Sequence, residues 1–589
     1  MTTWLSVARV LAPVAIVLAT TSSLASGCGS SGQAGFADAD GGAGGSSGGG
    51  GGGPGSGASD GATFGDAVPG GGGGPLACKG LVDGQKSSSG CEYYVVVPDV
   101  TIGGNGACFA AFLANTSNDT VSITLDYGGQ PLDASKFAYV PTGSGHSLSY
   151  TPLPGGKLSA GEVAILFLNR APGLPLPGLN LDCPKGVTAA ITSGDAATHG
   201  TGIAKAFHVI TSSAVVAYDM YPFGGGQSAM TSATLLLPVT SWDTNYVTVD
   251  AYGSGLGAQA FVQIVAAQDG TEVKLSAVAD VVGGAGVAPA KKGVPQSYML
   301  SRGQVLQLAQ DASLAGSVVQ TNRPVGVWGG KQVLAIDSCC DETAHQQIPP
   351  VRALGSEYVG LRYRNRYDGQ EETPPWRLVG AADGTVLTWE PSPPAGAPTA
   401  LDLGTVKELR AAGPFVVRSQ DEKHPFYMSA HMTGAAQYDP NQTDGRGDAE
   451  FVNVVPPGEY LPSYVFFTDP TYPETNLLLV RTKGANGFAD VTLDCAGKVG
   501  GWSPVGTGGA YEFTRVDLVR HDFAPQGGCN NGRHEIHSDA PFGLTVWGWG
   551  SAETGGNLSP GYSQYVSYAY PGGASVQPIN PVVIPPPVR

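Results

Sequence analysis

One recurring pattern limits what this chain can become. Pro238 is followed eight residues later by Tyr246-Val247, Pro350 by Tyr358-Val359, and Pro456 by Tyr464-Val465. A second signature comes about 30 residues on, at Asp269-Gly270-Thr271-Glu272-Val273 and Asp383-Gly384-Thr385-Val386, with a weaker copy at Ala489-Asp490-Val491-Thr492-Leu493. A third closes each unit: Arg323-Pro324-Val325-Gly326-Val327-Trp328-Gly329, His424-Pro425-Phe426-Tyr427-Met428, and Ala540-Pro541-Phe542-Gly543-Leu544-Thr545-Val546-Trp547-Gly548. Self-similarity at a fixed period marks one supersecondary unit used repeatedly; the period here is about 105–115 residues. The stretch from Cys91 to about Leu237 is a diverged first copy. Its Ser159-Ala160-Gly161-Glu162-Val163 matches Ser301-Arg302-Gly303-Gln304-Val305, and it closes with Ser213-Ala214-Val215-Val216-Ala217-Tyr218.

Every signature reads as strand or turn. Val121-Ser122-Ile123-Thr124-Leu125 alternates apolar with polar, the period-two mark of a half-buried strand. The Asp-Gly pairs before Thr271 and Thr385 are hairpin-turn signals. No stretch of a dozen residues in the body carries a helical stripe. The expected class is all-β, with tandem β-sandwich-like repeats of about 110 residues; a β-propeller-like arrangement is the competing one. The expected organisation is a signal peptide at 1–27, a Gly/Ser-rich tether at 28–76, and a diverged first module at 77–237. Repeats follow at 238–345, 346–452 and 453–573, then a Pro-rich extended tail at 574–589.

The N-terminus reads as an address. Arg9 precedes a mainly apolar run over residues 10–19, and small residues lead to Ala25-Ser26-Gly27-Cys28. This resembles a bacterial lipobox, in which cleavage exposes a cysteine for lipidation, here Cys28. The apolar run is too short for a transmembrane span. Gly29 follows Cys28 where inner-membrane retention favours Asp, so the expected location is an outer-membrane lipoprotein, facing the cell surface or the periplasm. The spacer after it has almost nothing apolar to bury and reaches about 35–40 Å root-mean-square.

Charge narrows the partners. There are 31 Lys+Arg against 48 Asp+Glu, a net charge of −17, and only 13% of residues are charged. An acidic chain lacks the clustered cations that nucleic acid requires, so no nucleic-acid partner is expected and the only expected membrane contact is the lipid anchor. The 89 Gly and 44 Pro exclude a coiled coil or helical bundle.

Apart from Cys28, eight cysteines remain: Cys78, Cys91, Cys108, Cys183, Cys339, Cys340, Cys495 and Cys529. An even number in an exported chain favours disulfides. Proximity along the chain suggests Cys78–Cys91, Cys108–Cys183 and Cys495–Cys529, leaving Cys339 and Cys340 as a vicinal pair or as separate thiols.

Residues 439–450 carry the strongest candidate chemistry. Asp439, Asn441, Thr443 and Glu450 stand at positions 1, 3, 5 and 12 of a calcium-loop spacing, with Asp444 and Asp448 adding oxygen ligands. The match departs at position 6, where Asp444 replaces the usual Gly; the alternative is a polar loop before a strand at Phe451. Calcium is the only cofactor this reading admits. Arg446-Gly447-Asp448 within it is an integrin-type tripeptide. Cys339-Cys340-Asp341-Glu342-Thr343-Ala344-His345 gathers thiols, carboxylates and imidazole, for a metal or for an oxidised turn. His534 and His537 would point to opposite faces of a strand. Trp502, Trp547, Trp549 and Tyr562 are either sugar-stacking surfaces or core. Nothing reads as a catalytic constellation.

Several stretches together resemble the N-terminal domain of the IgGFc-binding protein family. They are Ala217-Tyr218-Asp219-Met220-Tyr221-Pro222-Phe223, Leu235-Leu236-Leu237-Pro238-Val239-Thr240, Gln347-Ile348-Pro349-Pro350-Val351, and residues 447–456, 539–550 and 568–573. The resemblance spans roughly residues 91–573 and implies an extracellular binding domain; immunoglobulin binding need not follow. The tether and lipobox resemble those of large-genome Gram-negative lipoproteins such as those of myxobacteria. The expected function is a non-enzymatic, lipid-anchored binding or adhesion protein that recognises an extracellular glycan, matrix or protein ligand. The alternative is a surface-tethered hydrolase or carbohydrate-processing enzyme.

Overall fold

The computed structural model describes Cys78 and residues 86–100, 104–143, 147–171, 181–224, 230–253, 259–338, 342–441, 443–554 and 564–585. The signal peptide, Cys28, the tether, Cys339, Cys340 and Tyr562 lie outside the described residues. Within them the chain is all-β, and its helical pieces are three-residue 3-10 turns. Alternation sets the strands as expected: Thr271–Ser276 buries every second residue, Thr271, Val273 and Leu275. Val163–Asn169 is buried throughout. It is hydrogen-bonded to Phe109–Asn115 and Ala138–Thr142, so a continuous apolar run suits it.

Each repeat is organised by a long strand that passes from one set of partners to another within its sheet. In the first, Phe207–Tyr221 pairs through residues 207–211 with Val121–Tyr127, and through 215–220 with Phe109–Asn115. In the second, Val318–Leu334 pairs through 318–321 with Thr271–Ser276, then through 325–331 with Ala260–Ala266. In the fourth, Gly532–Trp549 does the same with Leu461–Thr468 and Glu474–Gly484. The third splits this strand into Phe415–Arg418 and Phe426–Met432. Each recurring Pro, at 324, 425 and 541, falls at the crossover, where the strand leaves one set of partners for the next. Long strands that change partners in this way let one sheet fold over itself and make a corner between β-layers. Gly329 and Gly548 belong to the same signature because of close approach. A Cβ there would lie 1.9 Å from the Val249 carbonyl oxygen and 2.1 Å from the Tyr568 ring.

The Pro-to-Tyr signature joins a local turn to a strand far along the chain. Pro238, Pro350 and Pro456 each precede a 3-10 turn. The tyrosine eight residues on is buried and ties that turn to the crossover. Tyr246 donates to the Val325 carbonyl at 2.7 Å and accepts from the Asp243 amide at 3.0 Å. Tyr358 donates to Phe426 at 2.6 Å and accepts from Gly355 at 3.0 Å. Tyr464 donates to Phe542 and accepts from Leu461 at 2.9 Å. In each case the carbonyl belongs to the residue after the crossover proline. Tyr93 in the diverged repeat donates to Val215 at 2.6 Å. A hydroxyl satisfied on both sides in a dry corner contributes about 1 kcal/mol and fixes the corner geometry.

The repeats close into a ring. Each long strand carries an inner neighbour: Ser232–Leu236, Glu342–Gln347, Glu450–Asn453 and Ser567–Pro571. Ser232–Leu236 packs against both Glu342–Gln347 and Ser567–Pro571, and Glu450–Asn453 packs against the same two. The four inner strands therefore surround a common line. The sandwich-like layers of the first expectation and the circular order of the second coexist. Gly202–Lys205, within the first module by sequence, pairs with Gln304–Gln310 of the second repeat, and the inner strands Glu342–Gln347 and Glu450–Asn453 straddle the expected boundaries after 345 and 452.

The ring is tied shut by its ends. The amide of Ser88 donates to the Ala574 carbonyl at 2.8 Å, and the Ala574 amide donates to Ser88 Oγ at 3.1 Å. The Pro-rich segment then runs over three repeats instead of leaving the body. Gln577 donates to the Lys86 carbonyl, Asn580 to those of Val351 and Leu354, and Ile584 exchanges bonds with Asn245. Proline composition predicts extended backbone correctly, but the docking depends on Asn and Gln side chains meeting carbonyls far away in sequence. Three disulfides, Cys78–Cys91, Cys108–Cys183 and Cys495–Cys529, are present, the pairs suggested by proximity.

Candidate functional site

The 439–450 segment folds into a latch between the third and fourth repeats. Asp439 Oδ2 accepts from the amides of Asp444 at 2.7 Å and Gly445 at 3.0 Å, and Oδ1 accepts from Thr443 Oγ1 at 3.3 Å. Burial opposes ionisation of Asp439, but these amides outweigh it and hold its carboxyl below the usual range. The Asp444 carboxylate pairs with Arg446 at 2.9 Å. Asp448 is wholly buried, its amide donating to Ser567 Oγ at 2.7 Å. Asn441 sits at the exposed tip of the loop. Glu450 lies beyond the loop on an inner strand and faces Ser232 Oγ at 3.1 Å. No three of the carboxylates Asp439, Asp444, Asp448 and Glu450 converge on one point among the described residues.

The Arg446-Gly447-Asp448 tripeptide is internal, as suits a chance match to a short motif. Arg446 is 7% exposed and its guanidinium engages Glu474, Asp444 and Glu553. Arg364 shares Glu474 from the other side and lies over the Trp549 ring at 4.7 Å. A buried charge without these partners would be costly, so the motif serves the repeat junction.

Other sequence candidates are also structural. Asp494, Cys495 and His534 are the one described group close enough to hold a metal, but Cys495 is in a disulfide, so its sulfur is not a free thiolate ligand. His534 is buried and His537 exposed, on opposite faces. Trp547 and Trp549 are core, and Trp502 is half-buried beneath the Arg481 guanidinium at 4.2 Å. His345 lies on an inner strand, bonded through Nε2 to Asp219 at 2.5 Å with both side chains buried.

An unanticipated pocket opens at the junction of the second and third repeats. It has a volume of about 300 Å³. Its floor is Asp250 and Arg377, 2% and 7% exposed, paired at 2.7 Å. Asp250 also accepts from Ser313 Oγ at 2.6 Å. Arg377 donates to the Ala251 carbonyl at 2.9 Å and faces Glu408 at 3.4 Å, its direct partner across the strand pair Pro375–Gly380 and Val406–Arg410. Lys331, half-buried on the long strand of the second repeat, donates to the Gly253 carbonyl; burial pulls its ammonium pKa below the usual value. Asp311 and Glu408 stand exposed at the rim. Tyr252 forms one wall, and its amide donates to His431 Nε2 at 3.0 Å. Burial, reinforced by the Arg377 charge, lowers the His431 pKa to about 3, so the ring is a neutral acceptor.

Spacing rules do not detect this site, because its residues come from four strands and two loops of two repeats. The available signal was Arg377, a charge inside the otherwise apolar strand Pro375–Gly380. The model of the family described as IgGFc binding protein matches residues 232–548. That span runs from the first inner strand to the last crossover strand and includes the whole pocket. No curated protein matches the chain.

Proposed function

The chain belongs to the IgGFc binding protein family, and on that premise we propose that it is a cell-surface binding or adhesion protein. Its ligand is an extracellular protein, matrix component or glycan, and it is held to the outer membrane by a lipid on Cys28 at the end of the Gly/Ser tether. The carrying observation is the preformed polar pocket at the second repeat junction, on a body whose corners, ring closure and disulfides leave little to reorganise on binding. The disulfides fit an oxidising, exported location. Among the described residues, no helix is long and apolar enough to cross a membrane, and the anchor reading needs none. Immunoglobulin is one candidate protein ligand among others.

The hydrolase alternative draws on Asp250, Asp311 and Glu408 lining one pocket. Asp250 is already engaged by Arg377 and Ser313, which suits holding a ligand better than proton transfer. The test is saturable binding of the purified full chain to the producer's cells, extracellular matrix, immunoglobulin and a glycan array, with Cys28→Ser used to assess anchoring. Saturable binding to one target, with Cys28→Ser released from the membrane fraction, is expected. Absence of binding, or turnover of a bound glycan, overturns the reading.

A further inference from the structure

We infer that the pocket at the second and third repeat junction receives one uncharged, hydroxyl-rich ring, a single glycosyl unit of a larger glycan. This rests on the reading of the body as a binding protein and assigns the ligand chemistry of that site.

Size and polarity both point there. A volume of about 300 Å³ is at the lower end of the roughly 300–1,000 Å³ range of ligand pockets, room for one ring and not for a folded segment. Most small-molecule pockets are predominantly apolar with a few polar groups. This one is lined by five charged side chains and Ser313, so an apolar ligand would leave charges desolvated without partners.

The charges nearly cancel. Lys331 and Arg377 oppose Asp250, Asp311 and Glu408, leaving one net negative charge. An anionic group would meet three carboxylates. A basic side chain would meet Lys331 and Arg377. A hydroxyl both donates and accepts, and this lining offers both kinds of partner around one space. Asp311, one of whose oxygens accepts from Gln259 at 3.2 Å, and Glu408 present acceptor oxygens at the rim, and Lys331 adds to the lining an ammonium with three hydrogens, one of them on Gly253. The floor is already organised, since Arg377 is held by Asp250 and the Ala251 carbonyl. The variable contacts therefore fall to Asp311, Lys331 and Glu408. Of these, Asp311 and Lys331 test recognition without opening an ion pair of the buried Arg377.

The test is saturation-transfer NMR on the purified full chain with glucose, galactose, mannose and N-acetylglucosamine, with n-butylammonium and acetate as charged probes. Wild type is compared with Asp311→Asn and Lys331→Met, and unfolding midpoints verify that both variants fold. At least one neutral sugar is expected to bind, and each variant to weaken it tenfold or more. No sugar signal, sugar binding unchanged in both variants, or binding of n-butylammonium alone overturns the assignment; the last outcome identifies a pocket for a basic side chain of a protein partner. Binding to cells and matrix is measured in parallel. Retained cell binding without sugar binding removes the pocket assignment and leaves the adhesion reading. Sugar binding without cell binding does the reverse.

Discussion

The Glu450 carboxylate accepts a hydrogen bond from the Ser232 hydroxyl at 3.1 Å, joining inner strands 218 residues apart in sequence. It also accepts from the Phe451 amide at 2.7 Å. A position first read as the last ligand of a calcium loop thus helps hold the centre of the ring.

Burial pushes the Glu450 pKa well above the usual carboxyl range, more than its amide and hydroxyl donors lower it. A carboxyl raised in the folded state contributes most below its unfolded value of about 4.3 and loses that contribution as pH rises. Wild type is therefore expected to lose stability between pH 5 and 8, by at most about 1.4 kcal/mol per pH unit from this group. Glu450→Gln should have a shallower slope. Urea unfolding at the two pH values measures it, and identical slopes would contradict the prediction.

The C-terminal strap has its own pH dependence. Glu459 accepts from Ser575 Oγ and from the Gln577 amide at 3.0 Å. Burial raises its pKa to about 7 despite those donors. The sign is the same: its contribution is full below about 4.3 and lost as pH rises through about 7. Protease cleavage within residues 574–585 should increase from pH 5 to 8, relative to an unstructured peptide of the same sequence. Glu459→Gln should flatten the increase. Equal pH dependence in both proteins would remove Glu459 from the account.

Tyr358 tests the corner device. Tyr358→Phe leaves the Gly355 amide and the Phe426 carbonyl without their buried hydroxyl partner. An expected loss of about 1–3 kcal/mol follows from stranding buried polar groups, read as a lower denaturant midpoint. Tyr246→Phe should behave alike, since the geometry repeats. A midpoint within error of wild type for both would show that the tyrosines only fill space.

The Cys108–Cys183 bridge spans 75 residues of the first repeat. Replacing both with Ala should lower stability by about 2–5 kcal/mol, through release of the unfolded chain. The difference should vanish when both proteins are measured in reductant, which opens all the disulfides in each. A difference persisting there would mean that lost side-chain packing, not the cross-link, is responsible.

Much of the fold was legible because its causes are local. Alternation in Thr271–Ser276 and the turn glycines Gly270 and Gly384 act within a few residues, and the repetition of these signals and of the Pro-to-Tyr spacing marked out the units. Cysteine proximity suggested the three disulfides. The candidate site was not legible for the converse reason. Asp250 and Arg377 are 127 residues apart, and Arg377 meets Asp250 only because the ring sets the third repeat against the second. The 439–450 segment shows the same limit in reverse: its oxygen spacing is local, but Arg446, Asp448 and Glu450 are drawn to partners on other elements. Sequence alone determined the strands and turns and marked the repeating signatures, since these follow from short-range sterics and hydrogen bonds; the corners needed the fold, because each tyrosine reaches a carbonyl far along the chain. Closure of the ring, the strap across it and the pocket at the junction were decided only by tertiary structure, where groups far apart in the chain satisfy one another's buried charge and hydrogen bonds.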